Sequence, residues 1–280
     1  MKKSIYPCIT LKGKAEEAAD FYISTFGEGL ILQKSPFVTQ IQLSGETFML
    51  LNDGPTSAPN PSISFMVFAG SAEETTTYFN KIAPEGKVMM PLDSYAWSSN
   101  YAWVEDKYGV SWQLYTGEAA DRRQKFSPTL MFTGAQAGSA LSAMEYYTRL
   151  FPDGRIEGVL NYSKTDGEDP DFVKHAQFNL IDFTLMAMDS SFSHGFQFND
   201  AISFVVECDT QHEIDAYWNA LTADGGVALA CGWLTDKYGL SWQIVPKILG
   251  ALMKDPGRGQ RVMAALMNMK KLVIADLENA

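Results

Sequence analysis

The sequence predicts an α+β protein built from one module repeated in tandem. Three observations carry this: an internal repeat, a recurring strand–helix–three-strand order, and apolar runs too short to cross a membrane. Ile63-Ser64-Phe65-Met66-Val67 recurs as Ile202-Ser203-Phe204-Val205-Val206, an offset of 139 residues. Tyr78-Phe79-Asn80 returns as Tyr217-Trp218-Asn219 at that same offset. Asp106-Lys107-Tyr108-Gly109-Val110-Ser111-Trp112-Gln113-Leu114 returns as Asp236-Lys237-Tyr238-Gly239-Leu240-Ser241-Trp242-Gln243-Ile244, but at an offset of 130. The first copy therefore carries nine extra residues, somewhere in Lys87–Trp103. Asp20-Phe21-Tyr22 with Phe26 and Gly29 matches Glu145-Tyr146-Tyr147 with Phe151 and Gly154. Four anchors in one order are a duplication.

Within a copy the elements follow from periodicity. Pro7–Gly13 is a short apolar strand. Ala15–Phe26 places Ala18, Phe21, Tyr22 and Phe26 on one face at helical spacing, and Gly27 and Gly29 end that helix. Leu30–Lys34, Val38–Leu43 and Thr47–Asn52 read as strands, with Ser44-Gly45-Glu46 as a hairpin turn. Ile63–Phe68 opens a second unit: a helix over Ala72–Ile82, then strands at Val88–Met90, Tyr101–Val104 and Ser111–Tyr115. The second copy repeats this from Thr129 to Val245. Consecutive strands joined by short turns predict mostly antiparallel sheets with helices on one face.

The expected organisation is a first module over 1–118, a linker over 119–126, a second module over 127–246 and a helical extension over 247–280. In the extension, Lys247–Lys254 is a short helix, and Asp255-Pro256 reads as an N-cap with proline at the first helical position. Gly257–Leu277 then reads as one long helix whose Val262, Met263, Leu266, Met267 and Met269 form a packing face rather than a ligand box.

Composition narrows the function classes. The 280 residues are 46% hydrophobic and 20% charged, enough apolar material for real cores. A formal net charge of -11 without a basic stripe argues against nucleic acid as a partner. The start, Met1-Lys2-Lys3-Ser4-Ile5-Tyr6-Pro7, has no apolar signal region, and no run reaches the ~18 apolar residues of a membrane span. Cys8, Cys208 and Cys231 are too few and too scattered for a disulfide framework or a zinc site. A reducing cytoplasm is the expected compartment, with Cys8 and Cys208 as buried small apolar residues.

The repeated Asp-Lys-Tyr-Gly-(Val/Leu)-Ser-Trp-Gln resembles the PhnB-like branch of the vicinal oxygen chelate superfamily, which includes glyoxalases and bleomycin-resistance proteins. That branch is often labelled a demethylubiquinone methyltransferase domain. The second half carries the pattern closely, in His175–Asp189, Ala201–Glu207, Cys231-Gly232-Trp233-Leu234, Asp236–Pro246 and Arg261–Lys271; the first half is a looser relative. The resemblance implies paired strand–helix–three-strand units that curl an eight-stranded sheet around a concave pocket. It also implies an intrachain pseudo-dimer, with further homodimerisation open.

Metal-dependent relatives hold a divalent ion with His, Glu or Gln at the first, fourth, fifth and eighth strands. By the resemblance, those positions are Pro7 or Cys8 and a residue near Pro128, then Ser62 and Ala201, then Gln113 and Gln243. The fourth strands offer Phe48–Leu51 and Thr184–Ala187. A lone amide without imidazole or carboxylate company makes a weak site, so no metal and no other cofactor is expected, a divalent ion being the alternative. His175 begins a strand at a sheet edge or pocket rim, His194 lies in the Ser190–Asn199 loop, and His212 is early in a helix; none has metal-site spacing.

The candidate ligand-binding residues are Gln113, Gln243, Trp103, Trp233 and His175. On a strand, Trp112 and Gln113 point to opposite faces, so Gln113 either lines the concave face or satisfies backbone beneath a packed tryptophan. Three functions compete. One is metal-independent binding of a small apolar or aromatic molecule. Another is a metal-dependent isomerase, lyase or dioxygenase. The last is the methyltransferase of the label. A methyl donor calls for a glycine-rich loop between a parallel strand and a helix. Gly27-Glu28-Gly29 and Gly257-Arg258-Gly259 lack that context, and no catalytic residue is assigned.

Overall fold

The computed structural model describes residues 5–117 and 123–280, so residues 119–122 of the expected linker and the Met1–Ser4 start lie outside the described residues. The chain divides into two compact units: residues 7–202, and residues 203–280 with Ile5 and Tyr6.

The chain opens with β1 (Ile5–Thr10), which enters the larger unit at Pro7, and continues there with α1 (Ala15–Phe26), β2 (Gly29–Lys34), β3 (Val38–Leu43) and β4 (Glu46–Leu51). β1 and β4 run parallel, while β4, β3 and β2 form antiparallel hairpins. Ser44 and Gly45 both take positive φ (46° and 86°), as a two-residue hairpin with right-handed twist requires.

β5 (Ile63–Ala69), α2 (Ala72–Ile82), β6 (Lys87–Tyr95), β7 (Ser98–Glu105) and β8 (Ser111–Thr116) follow. After them come β9 (Phe126–Phe132), α3 (Ala140–Leu150), β10 (Arg155–Asn161), β11 (Val173–Leu180) and β12 (Phe183–Asp189). The eight strands among these ten elements make one curled sheet in the order β10-β11-β12-β9-β5-β8-β7-β6. Its centre is the antiparallel pairing of β5 with β9, in which Ser64 faces Thr129 and Met66 faces Ser127. The sheet thus draws four strands from each copy: the second unit of the first and the first unit of the second.

One face of that sheet is covered by helices. Phe65, Trp112, Phe126 and Phe178 are buried there, with Tyr22 and Phe26 of α1 against Trp112 and Tyr147 of α3 stacked on Phe178. At this density, aromatic burial of about 150–250 Å² per ring supplies much of the core. The repeated Asp-Lys-Tyr-Gly turn is held from within. Asp106 Oδ1 accepts from the backbone N–H of Tyr108 and Val110 at 2.8 and 3.0 Å, and Gly109 takes a φ of 83°.

The smaller unit contains β13 (Ile202–Cys208), α4 (Gln211–Leu221), β14 (Val227–Ala228), β15 (Trp233–Thr235) and β16 (Ser241–Pro246), in the sheet order β14-β15-β16-β13. A capping box starts α4: Thr210 Oγ1 accepts from Glu213 N, while the Glu213 carboxylate accepts from Thr210 N. The extension then gives α5 (Leu249–Lys254), α6 (Gly259–Met267) and α7 (Ile274–Glu278).

The expected long helix over Gly257–Leu277 is therefore broken. Met269 and Lys270 give their carbonyls to the N–H groups of Cys231 and Gly232 at 2.7 and 2.8 Å, and the Gln211 amide brackets Leu272 O and Ile274 N. These tertiary bonds replace helical ones. Asp255 likewise caps a turn, its Oδ1 accepting from Gly257 N, and α6 starts only at Gly259. Of the methionine stripe, Met269 packs with Val262, Leu272 and Leu277, whereas Met267 is 63% exposed. No described helix is long and apolar enough to cross a membrane.

Candidate functional site

The helix-free face of the eight-stranded sheet is reached by alternation from the buried one. Ser64, Met66 and Phe68 on β5 stand opposite Ser111, Gln113 and Tyr115 on β8, and Gln113 stands opposite Trp103 on β7. Across the centre, Ser64 faces Thr129, Thr129 faces Met186, and Met186 faces Gln177. His175, two residues before Gln177, shares the face.

An apolar patch occupies one side. Met66, Tyr101 and Met186 are buried together, with Phe68, Met90, Tyr95, Trp103 and Tyr115 packed around them. Polar groups are set into this wall. Gln113, 6% exposed, accepts the Tyr101 hydroxyl on Oε1 at 2.7 Å and donates from Nε2 to Ser64 Oγ at 2.8 Å. Trp103 Nε1 donates to Ser111 Oγ at 2.6 Å. Burial pushes the Tyr101 phenol well above its ordinary range, so it is a hydrogen-bond donor at neutral pH. Thr129 Oγ1 and Asn179 Nδ2, on the same face, are buried without a partner.

Trp103 and Gln113 are thus brought together. His175 is not with them, because β12, β9 and β5 separate its strand from β8. His175 is an exposed residue, and partial desolvation by the surrounding protein lowers its pKa. In the smaller unit, Gln243 and Trp233 stand directly opposite one another, and Gln243 Nε2 donates to Ser203 Oγ at 3.0 Å. Cys231 occupies the place that Tyr101 has in the first copy, and Ser241 Oγ is buried without a partner. Ser64, Met66 and Met186 were not singled out from the sequence. The signal was present in the alternation of Ser64, Met66 and Phe68 along the repeated strand.

The remaining candidates serve structure. Trp112 and Trp242 are fully buried on the helix side and donate to Asp106 and Asp236 at 2.8 and 2.9 Å. His212 is exposed in the first turn of α4. His194 Nε2 lies 2.8 Å from Ser190 Oγ, which donates to Glu168 Oε1 at 2.8 Å. The hydroxyl is the middle group of that chain and 4% exposed, the wrong order and access for a nucleophile. Cys8 and Cys208 are buried, and burial pushes the Cys208 thiol up to about 12.

The side chains at the metal positions of the fold do not suit a divalent ion. Cys8 is buried, Ser62 and Ala201 are not metal ligands of useful strength, and the Gln113 oxygen already accepts from Tyr101. Among the described residues no three His, Cys, Asp or Glu side chains form a group that could hold a metal. The glycine-rich segments are equally unsuited to a methyl donor: Gly27 caps α1 and leads into β2, and Gly257 to Gly259 joins α5 to α6.

Similarity to known proteins agrees with this architecture. No curated protein matches the chain significantly. A PhnB protein from Bacillus cereus is 33% identical over 41% of this chain and 100% of its own, with a TM-score of 0.39. Glyoxalase I from Zea mays superposes with a TM-score of 0.57 at 12% identity, covering 85% of this chain and 90% of its own, a likeness of fold alone. The profile of the 3-demethylubiquinone-9 3-methyltransferase family matches twice, over residues 3–115 and 124–245. The chain therefore belongs to that PhnB-like family, with two matching segments in tandem.

Proposed function

We propose that this chain binds a small apolar or aromatic molecule on the helix-free face of its eight-stranded sheet, without a resident divalent metal. The observation that carries this reading is the wall itself. Met66, Met186 and Tyr101 are buried together with Trp103 packed against them, and the Gln113 amide is held in place by Tyr101 and Ser64. An apolar wall with a few fixed polar groups is the usual make-up of a small-molecule site. The donor set supports the metal-free part, since neutral serine, alanine and an already engaged amide stand where imidazoles and carboxylates would be needed.

A net charge of -11 supports a partner other than nucleic acid. Three cysteines, widely spaced along the chain, suit a reducing cytoplasm. The duplicated chain supplies both sides of the β5–β9 seam, so it acts as its own pseudo-dimer partner.

The test is metal analysis of protein purified without chelator, followed by thermal shift with zinc, nickel, manganese and iron, then with a panel of apolar and aromatic compounds. Less than a tenth of an equivalent of metal, no shift with ions and stabilisation by apolar compounds is the expected result. Metal near one equivalent, or strong stabilisation by one ion, overturns the metal-free reading in favour of a metal-dependent enzyme.

A further inference from the structure

The nine extra residues of the first copy make a structure that the second copy lacks. They lengthen β6 and β7 into a hairpin that runs from Lys87 to Glu105 and turns at Ala96-Trp97. The corresponding strands of the second copy are only Val227–Ala228 and Trp233–Thr235. At the tip, Tyr95 and Trp97 lie nearly parallel, with ring centroids 5.1 Å apart and an interplanar angle of 22°. Both rings meet Tyr101 edge-on, at 5.6 and 5.7 Å. Tyr101 in turn donates to Gln113, so the tip is continuous with the wall of the candidate site.

We infer that this hairpin is a stacking platform for a planar aromatic ring, with Trp97 as the contact surface; the inference rests on the binding reading above. Trp97 is 51% exposed, and its neighbours Asp93, Ser94, Ala96 and Ser99 are exposed and mostly polar. A protein interface of ordinary size needs about 800 Å² per partner, which one indole in a polar strip does not supply. One flat ring does match it, because two aromatic faces satisfy each other over a single ring's area.

The platform is also braced before any ligand arrives. Ser98 Oγ engages Asn100 O and Thr116 O, both at 3.0 Å, and Asn100 Nδ2 donates to Ala72 O of α2 at 2.9 Å. A braced ring loses little freedom on binding, whereas a loose tip would pay for its own ordering.

The test uses the full chain at pH 8 and two uncharged probes of the same tricyclic skeleton: acridine, which is flat, and its fully saturated counterpart acetylated on nitrogen, which is puckered. Affinities are read by calorimetry for wild type, Trp97→Leu and Trp97→Phe, with circular dichroism as the check on folding. The expected result is that acridine binds about tenfold more tightly than the saturated probe, that Trp97→Leu abolishes this preference, and that Trp97→Phe keeps most of it. If acridine and the saturated probe bind wild type alike, or Trp97→Leu keeps the preference, the platform is overturned while the binding reading stands. If neither probe binds wild type, the platform is overturned, and the compound panel decides separately whether the wall binds anything.

Discussion

Trp112 donates its indole proton to Asp106 Oδ2 at 2.8 Å, and 130 residues later Trp242 does the same to Asp236 at 2.9 Å. The bond locks the repeated turn to the strand that follows it. In doing so it sends tryptophan under the helices and leaves the next residue, Gln113 or Gln243, to the other face. In the first copy Tyr22 of α1 also donates to Asp106 Oδ2, at 2.9 Å.

Asp106→Asn keeps an oxygen for the two backbone donors but puts an amide N–H against the Trp112 and Tyr22 donors. Leaving buried donors unpaired costs about 2–4 kcal/mol here. Denaturant unfolding followed by circular dichroism measures it; a loss under about 0.5 kcal/mol shows that the bond is dispensable.

Burial, opposed by its hydrogen bonds, leaves Asp106 with a pKa raised to about 6 from an unfolded value of 3.8. Between those values the folded state holds more protons than the unfolded one. The contribution of Asp106 to stability is therefore complete below pH 3.8 and falls as pH rises toward 6, by ~3 kcal/mol at most. Other carboxylates titrate in the same range, so the quantity to measure is the difference between wild type and Asp106→Asn at pH 4 and pH 7. The wild-type advantage is expected to shrink over that interval, and an advantage that grows contradicts the raised pKa.

Glu46, at the start of β4, accepts from Lys125 N and Phe126 N at 2.6 and 2.9 Å, tying the first unit to the beginning of β9. Glu46→Gln presents one N–H to a backbone donor and is expected to cost about 1–3 kcal/mol. Hydrogen exchange is the sharper readout: the Lys125 and Phe126 amides are expected to exchange at least tenfold faster, and unchanged rates reject the tie.

Gln211→Ala removes the amide that holds Leu272 O at 3.1 Å and Ile274 N at 2.8 Å. Exchange over residues 268–278 is expected to speed up with little change in β13 and β16, since the lost bonds lie at one end of the unit. Limited proteolysis is expected to cut this segment faster as well, and cleavage no faster than wild type counts against the anchoring.

The sequence by itself determined most local structure. Ala15–Phe26, Val38–Leu43 and Ala72–Ile82 are elements with the bounds their periodicity predicts, because apolar spacing and terminal glycines act over a few residues. The repeat likewise determined that two alike modules exist, and the Trp-Gln alternation put Gln113 opposite Trp112. Tertiary structure alone decided the rest. The joining of β5 to β9 across the two copies depends on strand edges far apart in the chain, and periodicity does not say which edge finds which. The break in the C-terminal helix depends on Cys231, Gly232 and Gln211, which offer hydrogen bonds no local rule anticipates. The candidate wall was legible only in part for the same reason. Met66 and Met186 are ordinary core residues in sequence, and only the curl of a shared sheet brings them together beside Tyr101 and Gln113.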